Sequence, residues 1–247
     1  AGRPAEDIWG IGRQYSKYLR GKGMITAKDV KDADEKWMRK KLTVVGERIV
    51  LELRGISCLP IETMTKKKKG IMSAKSFSRP VEDFEELYEA LANYTARCAE
   101  KLRQQDSLAA TITVFLRTSM FKNQPQYSDS FSVTMPYPTS FTPELFVHAR
   151  QCLKVIYKPG YQYQKVGVAV SHIAPDEPVQ PDLFDDFSLE AHYQRMRLMA
   201  IMDAINHIYG RDTLYFAVQG VTRSWKMKQE HLSGRFTTKW SDILTAH

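Results

Sequence analysis

The chain has 247 residues, 43% apolar and 26% charged, a composition that fits one or two globular domains and excludes a disordered or collagen-like protein. No apolar run approaches the ~20 residues of a bilayer span and no signal peptide is visible, so a cytoplasmic protein with no membrane contact is expected. Cys58, Cys98 and Cys152 are isolated and odd in number, and the six histidines show no paired spacing, which excludes a disulfide framework and offers no metal site. The net charge of +8 is uneven: residues 1–65 carry 13 basic and 9 acidic side chains, residues 66–175 carry 15 and 9, and residues 176–247 carry 8 and 10. A basic body with an acidic tail points to a polyanionic partner for the first two thirds.

Residues 4–54 read as short helices joined by tight turns. The stretch Ile8-Trp9-Gly10-Ile11-Gly12, followed by Gly21, Gly23, Ile25, Thr26 and Asp29, has the form of a helix-hairpin-helix. A turn built on Gly10 and Gly12 lets backbone N–H groups approach a phosphate, and the next helix directs its N-terminal dipole at the same anion. Arg13 and Lys17 lie on that helix and are expected to join the contact. Trp37, Leu42, Val45, Ile49 and Leu53 have helical spacing and read as core.

Lys66 to Lys69 form an uninterrupted basic run, expected to be a tether without a fold of its own. Ile71 to Ser78 reads as a strand. A long helix from about Val81 to Gln104 carries Phe84, Leu87, Tyr88, Leu91, Tyr94, Cys98 and Leu102 on one face. Leu108 to Thr118 alternates as a strand, with Ile112, Val114 and Leu116 opposed to Thr111, Thr113 and Arg117. Ser130 to Met135 alternates again. A second helix begins with Thr142 as N-cap and Pro143 at its first position, burying Leu145, Ala149, Cys152, Leu153 and Ile156. Tyr163 to His172 is the last strand.

The order β-α-β-β-α-β predicts an α+β domain: a four-stranded antiparallel sheet with both helices on one face. Its open face is expected to present Ser73, Lys75, Thr113, Arg117, Ser132, Thr134 and Lys165, hydroxyls and cations suited to phosphate oxygens. Phe77, Phe115 and Tyr163 are the candidates for stacking bases there, but the aromatic-glycine signatures of RNA-recognition sheets are missing.

The segment 176–187 is crowded with proline and acid. Within it Gln180-Pro181-Asp182-Leu183-Phe184 exposes two large apolar side chains with no local partner, as a docking peptide does. Beyond it, a helix from about Ser188 carries Tyr193, Met196, Met199, Met202, Ile205 and Ile208, and a strand is expected at Leu214–Val218.

The pattern Gln-x-x-Leu-Phe resembles the peptide by which bacterial polymerases and repair proteins hold the sliding clamp. Together with the hairpin, the tether and the β-α-β-β-α-β domain, it resembles the C-terminal half of a Y-family translesion DNA polymerase. Gly210-Arg211-Asp212-Thr213-Leu214-Tyr215-Phe216-Ala217, Trp225-Lys226-Met227-Lys228-Gln229, Leu232-Ser233-x-Arg235-Phe236-Thr237-Thr238, Arg97-x-x-Glu100-Lys101-Leu102-Arg103 and Tyr163-Gln164-Lys165-x-Gly167-Val168 are similar to the UmuC branch.

The resemblance implies a helical thumb at 1–65, a little finger at 66–175, a clamp-binding linker at 176–187 and a UmuC-type α/β tail at 188–247. It implies primer-template DNA and the clamp as partners in SOS repair, with a UmuD-like subunit and a recombinase filament as further ones. Gln180, Leu183 and Phe184 would contact the clamp; Pro181 departs from the leucine common there and removes an N–H. The family's palm, which holds catalytic Mg²⁺, has no counterpart in these residues. The strands Leu108–Thr118 and Tyr163–His172 carry no acid, and Asp129 stands at a strand entrance without a partner. The start at Ala1, without methionine, reads as a cut from a longer polymerase, so this portion is expected to bind without catalysing and to need no cofactor. A free-standing DNA-binding adaptor tethered to the clamp is the alternative, and an RNA-binding ferredoxin-like protein a more distant one.

Overall fold

The computed structural model describes residues 2–61, 66–176, 189–227 and 232–244. The chain divides into two units, Ala1–Lys66 and Lys67–His247.

In the first unit Thr26 sets the geometry. Its hydroxyl accepts from the Asp29 N–H at 3.2 Å, and the Asp29 carboxylate accepts from the Thr26 and Ile25 N–H groups at 2.8 and 3.0 Å. This capping box starts α2 (Ala27–Asp32), which follows α1 (Arg13–Arg20). Hydrogen bonds from the Thr26 N–H, the Thr26 side chain and the Ile25 N–H hold the Asp29 carboxyl below its usual range. Asp34 caps α3 (Glu35–Leu53) by accepting from the Trp37 N–H at 2.7 Å. Ile11, Leu19, Val30, Met38, Leu42, Ile49 and Val50 form the core, with Trp37 and Leu53 half-buried against it. Val45 departs from the expected core position and is exposed. The cause is a break in α3: Thr43 has φ +64°, so the apolar stripe changes phase there. Gly46 permits the break, since a Cβ would stand 2.5 Å from the Leu42 Cβ.

In the second unit, β1 (Ile71–Val81), α4 (Phe84–Arg103), β2 (Ser107–Thr118), β3 (Ser128–Thr139), α5 (Thr142–Ile156) and β4 (Tyr163–Pro175) follow the expected order. All ladders are antiparallel and the sheet order is β1-β4-β2-β3, so each helical crossover skips one strand. Strict alternation drives the layering. Val166, Val168 and Val170 of β4 lie opposite Leu116, Val114 and Ile112 of β2, and all six are buried. They meet Leu87, Leu91, Cys98 and Leu102 of α4 and Leu145, Ala149, Leu153 and Ile156 of α5. Each large apolar side chain there contributes about 1.5–3 kcal/mol by leaving water.

Asp83, not Val81, begins α4 by accepting from the Glu86 N–H. Thr142 does not cap α5; Phe141 holds that position. The Thr142 hydroxyl is drawn away to accept from Arg103 at 3.0 Å, and Thr139 Oγ1 accepts from the Phe141 N–H instead. Asp129 has partners after all: its carboxylate accepts from the Tyr127 hydroxyl at 3.0 Å and from the Ser130 N–H. The basic run is pinned at Lys68, whose N–H and C=O both bond the Gln105 amide.

The tail is α6 (Leu189–Ile208) followed by irregular chain with short 3₁₀ turns at Ala217–Gln219 and Trp240–Asp242. The expected strand at Leu214–Val218 is not formed: Asp212 and Gly220 have positive φ and bracket the segment with turns. The tail docks on the helices. Arg103 of α4, almost buried, holds Asp203 through two bonds of 2.6 and 2.8 Å and also donates to the Ser140 carbonyl. The Asn93 side-chain amide donates to the Gln219 main-chain carbonyl at 2.7 Å and accepts from the Gln219 side-chain amide at 3.5 Å. Trp225 is buried edge-on against Phe77 and Tyr94, and its Nε1 donates to Glu89 at 2.8 Å. Met199 is fully buried, whereas Tyr193 and Ile208 at the ends of the expected stripe are exposed. Among the described residues no helix is long and apolar enough to cross a membrane.

Asp203→Ala should strand the Arg103 guanidinium and cost about 1.5–3 kcal/mol, the range for hydrogen bonds to a charged group. Hydrogen exchange should speed up along α6 while β2 and β4 keep their protection. Equal exchange in α6 of both proteins would show that this pair does not hold the tail.

Candidate nucleic-acid interface

The hairpin of the first unit separates the two glycines by role. Gly10 has φ +95°, and a Cβ there would stand 3.1 Å from Ile49 Cδ1, so this glycine is required by the turn itself. Gly12 is the N-cap of α1 at φ −82°, and a Cβ there would meet nothing within 4 Å. With no side-chain oxygen at the cap, the first N–H groups of α1 are left to an outside acceptor. Gly12, Arg13 and Lys17 line a cleft of about 530 Å³ with Arg20 and Glu6, which pair with each other at 3.1 Å. Arg13 and Lys17 are exposed and form no ion pair with another described residue. The expected residues are therefore brought together, with one carboxylate at the rim.

In the second unit the sheet register builds the open face in rows that cross all four strands. One row is Ser76, Lys165, Arg117 and Ser128; the next is Ala74, Gly167, Phe115 and Ser130; the next is Met72, Ala169, Thr113 and Ser132. Thr111 and Thr134 continue it beside Ser171. No acid stands in any of these rows. Arg117 lies directly opposite Lys165, and like charges so placed destabilise a sheet unless something outside answers them. Thr113 and Ser132 share a hydrogen bond of 2.8 Å. The face is kept flat at its centre by Gly167, where a Cβ would stand 2.5 Å from the Phe115 ring and 2.4 Å from the Ala74 Cβ.

Thr113, Arg117, Ser132, Thr134 and Lys165 thus share the open face, but Ser73 and Lys75 do not. They lie opposite Val168 and Val166, on the helix-covered side, in phase with buried Ile71 and Phe77. The tail covers that side near β1. Two of the three stacking candidates are corrected for the same reason: Phe77 and Tyr163 are buried, and Phe115 alone reaches the open face. Ser76, Ser128, Ser130 and Met72 belong to the face and were missed, because only the cross-strand register assigns them. Gln180, Leu183 and Phe184 lie outside the described residues. Cys98 and Cys152 are buried in the core, which pushes their thiols up to about 12 and about 11. Among the described residues no three His, Cys, Asp or Glu side chains gather as a metal site.

Comparison with known proteins finds similarity along nearly the whole chain. Residues 68–183 match the impB/mucB/samB family C-terminal domain, and residues 196–246 match a domain of unknown function, DUF4113. The chain is 40% identical to protein UmuC of Salmonella typhimurium strain LT2 over 242 residues, 98% of this chain and 57% of that protein. It is 35% identical to protein SamB of Salmonella typhimurium over 99% of this chain and 57% of SamB. DNA polymerase IV of Desulfatibacillum aliphaticivorans is 26% identical over 85% of this chain and 52% of its own length. The chain thus spans a little over half the length of these relatives. Residues 68–183 thus match the C-terminal domain of the impB/mucB/samB family, and nearly the whole chain is similar to UmuC.

Proposed function

We propose that these residues hold DNA and the sliding clamp for a UmuC-like translesion polymerase acting in SOS repair and damage tolerance. Residues 1–65 act as its thumb, 66–175 as its little finger, 176–187 as the clamp-binding linker and 188–247 as a tail docked on the little finger. Phosphoryl transfer and its Mg²⁺ are assigned to the palm of the parent polymerase. A UmuD-like subunit and a recombinase filament are the further partners that the similarity to UmuC suggests.

The observation that carries the DNA reading is the acid-free open face with Arg117 opposite Lys165. Duplex phosphates would answer both charges, while the flanking hydroxyls of Thr113, Ser128 and Ser132 would donate to the same oxygens. A single aromatic on the face supports backbone tracking over the splaying of single-stranded bases. The α1 N-terminus supplies a second, sequence-independent phosphate contact through Arg13, Lys17 and bare N–H groups.

Binding to duplex DNA should therefore be indifferent to sequence. With ~4–6 phosphates neutralised, log K against log salt should slope at about −4 to −5. Replacing Arg117 and Lys165 with alanine should make that slope shallower by about 2. A marked sequence preference or an unchanged slope would contradict the open face as the DNA surface.

Gly12→Asp separates the hairpin's stability from its binding. The new carboxylate caps α1 and should leave the melting temperature equal or higher, since aspartate is at least as good a cap as glycine. It also takes the position of the phosphate, so DNA affinity should fall and the salt slope should shrink by about 0.9. Unaltered affinity would remove the hairpin from the interface.

Gln180 is proposed to bond the rim of a clamp pocket while Leu183 and Phe184 fill its floor. Burial of the two anchors, about 1.5–3 kcal/mol each, less the cost of ordering the linker, gives an affinity of about micromolar order. Leu183→Ala with Phe184→Ala should abolish clamp binding in a titration and leave DNA binding unchanged. Equal clamp affinity in the double variant would show that these residues are not the anchors.

A further inference from the structure

A second basic site lies on the opposite side of the sheet from the open face. Between the β1 edge, α4 and the tail segment 211–227 is a pocket of about 230 Å³. Lys75 and Arg97 line one wall, and Arg211, Arg223 and Lys226 line the other. One carboxylate, Asp212, stands among these five cations. It accepts from Arg97 at 2.6 Å and from Arg223 at 2.9 Å. Burial works to raise the Asp212 carboxyl, but the Arg223 hydrogen bond and the Arg97, Arg223 and Arg211 charges outweigh it and hold it below its usual value. Asp212 is thus committed as an anion to two of the arginines. Lys75, Arg211 and Lys226 form no ion pair with another described residue. The pocket keeps an excess of positive charge in a concave, partly desolvated place, where such charge interacts more strongly than on a flat surface.

Tyr94 also lines the pocket, its ring held edge-on by Trp225 at 5.9 Å, and its hydroxyl is shielded from solvent with no hydrogen-bond partner among the described residues.

We propose that this pocket binds a phosphate group, with Lys75, Arg211 and Lys226 supplying charge and hydrogen-bond donors. The volume is below the roughly 300–1,000 Å³ of pockets that enclose whole organic ligands, so a single phosphoryl group is the fitting size. That group could be a phosphodiester of a nucleic-acid strand or a free inorganic phosphate or pyrophosphate. Because β1, α4 and the tail all contribute, occupancy would also strengthen docking of the tail by mass action. This site shares no residue with the open face or the hairpin, so it does not depend on the DNA reading of either.

The test uses the full 247-residue chain and calorimetric titration with inorganic phosphate, pyrophosphate and a short oligonucleotide, at ionic strength matched with chloride. Phosphate or pyrophosphate should bind and raise the melting temperature above the chloride control. Lys75→Met with Arg211→Gln, both exposed positions, should leave the ligand-free melting temperature unchanged or higher and weaken phosphate binding about tenfold, while Arg117→Ala, on the far face, should leave it unchanged. In an Arg117→Ala, Lys165→Ala background, displacement of phosphate by the oligonucleotide identifies the ligand as a strand phosphate; failure to displace it identifies the free anion. Both outcomes support the site. No binding beyond the chloride control, or wild-type phosphate affinity in the Lys75→Met, Arg211→Gln variant, would overturn it.

Discussion

The pairing of β4 with β2 is the constraint on which the second unit depends. Val168 lies opposite Val114, and from that one register the side-chain period of two assigns Thr111 to Arg117 and Lys165 to Ser171 to their faces. Valines, Ile112 and Leu116 go under the helices; Thr113, Arg117 and Lys165 go to the open side. A slip of one residue would exchange the two sets, burying Arg117 and Lys165 without partners. Burial of the aliphatic set therefore creates the cationic face, because the same register that closes the core leaves two like charges side by side outside it.

The tail is held differently. Many of its contacts with α4 and β1 are polar, among them Arg103 with Asp203, Arg97 with Asp212, Asn93 with Gln219, the Trp225 indole N–H with Glu89 and the Ser78 N–H with the Trp225 carbonyl, while Trp225 and Met199 also supply apolar burial. Half-buried pairs of this kind specify a docking geometry more than they stabilise it, since desolvation offsets much of the attraction. They also explain why the motif containing Arg97, Glu100 and Arg103 and the motif containing Arg211 and Asp212 go together in this chain: the two close on each other in space.

The architecture of the second unit was legible because its elements alternate or repeat cleanly, and α4, α5 and the three later strands stand where their patterns place them. What was not legible has particular causes. Ser73 and Lys75 sit on an edge strand, where a polar residue facing the core side still reaches water beside the helices; their parity with Ile71 and Phe77 was the available signal. Val45 followed a helical period that the backbone abandons at Thr43. Thr142 has the chemistry of a cap, but Arg103, distant in sequence, claims its hydroxyl. Leu214–Val218 has strand-like residues, yet positive φ at Asp212 and Gly220 turns the chain at both ends. At the hairpin the glycine pattern was visible, but the different roles of Gly10 and Gly12 follow only from Ile49 packing beneath one of them.

Side-chain footprinting of the chain with and without duplex DNA tests the central claim most directly. Met72 and Phe115 lie on the open face, Met227 lines the pocket beneath the tail, and Val147 and Val155 lie exposed on α5. Duplex binding should protect Met72 and Phe115 from oxidation and leave Val147 and Val155 as reactive as before. Protection of the α5 residues with Met72 and Phe115 unchanged would place the DNA on the helical side and contradict the account.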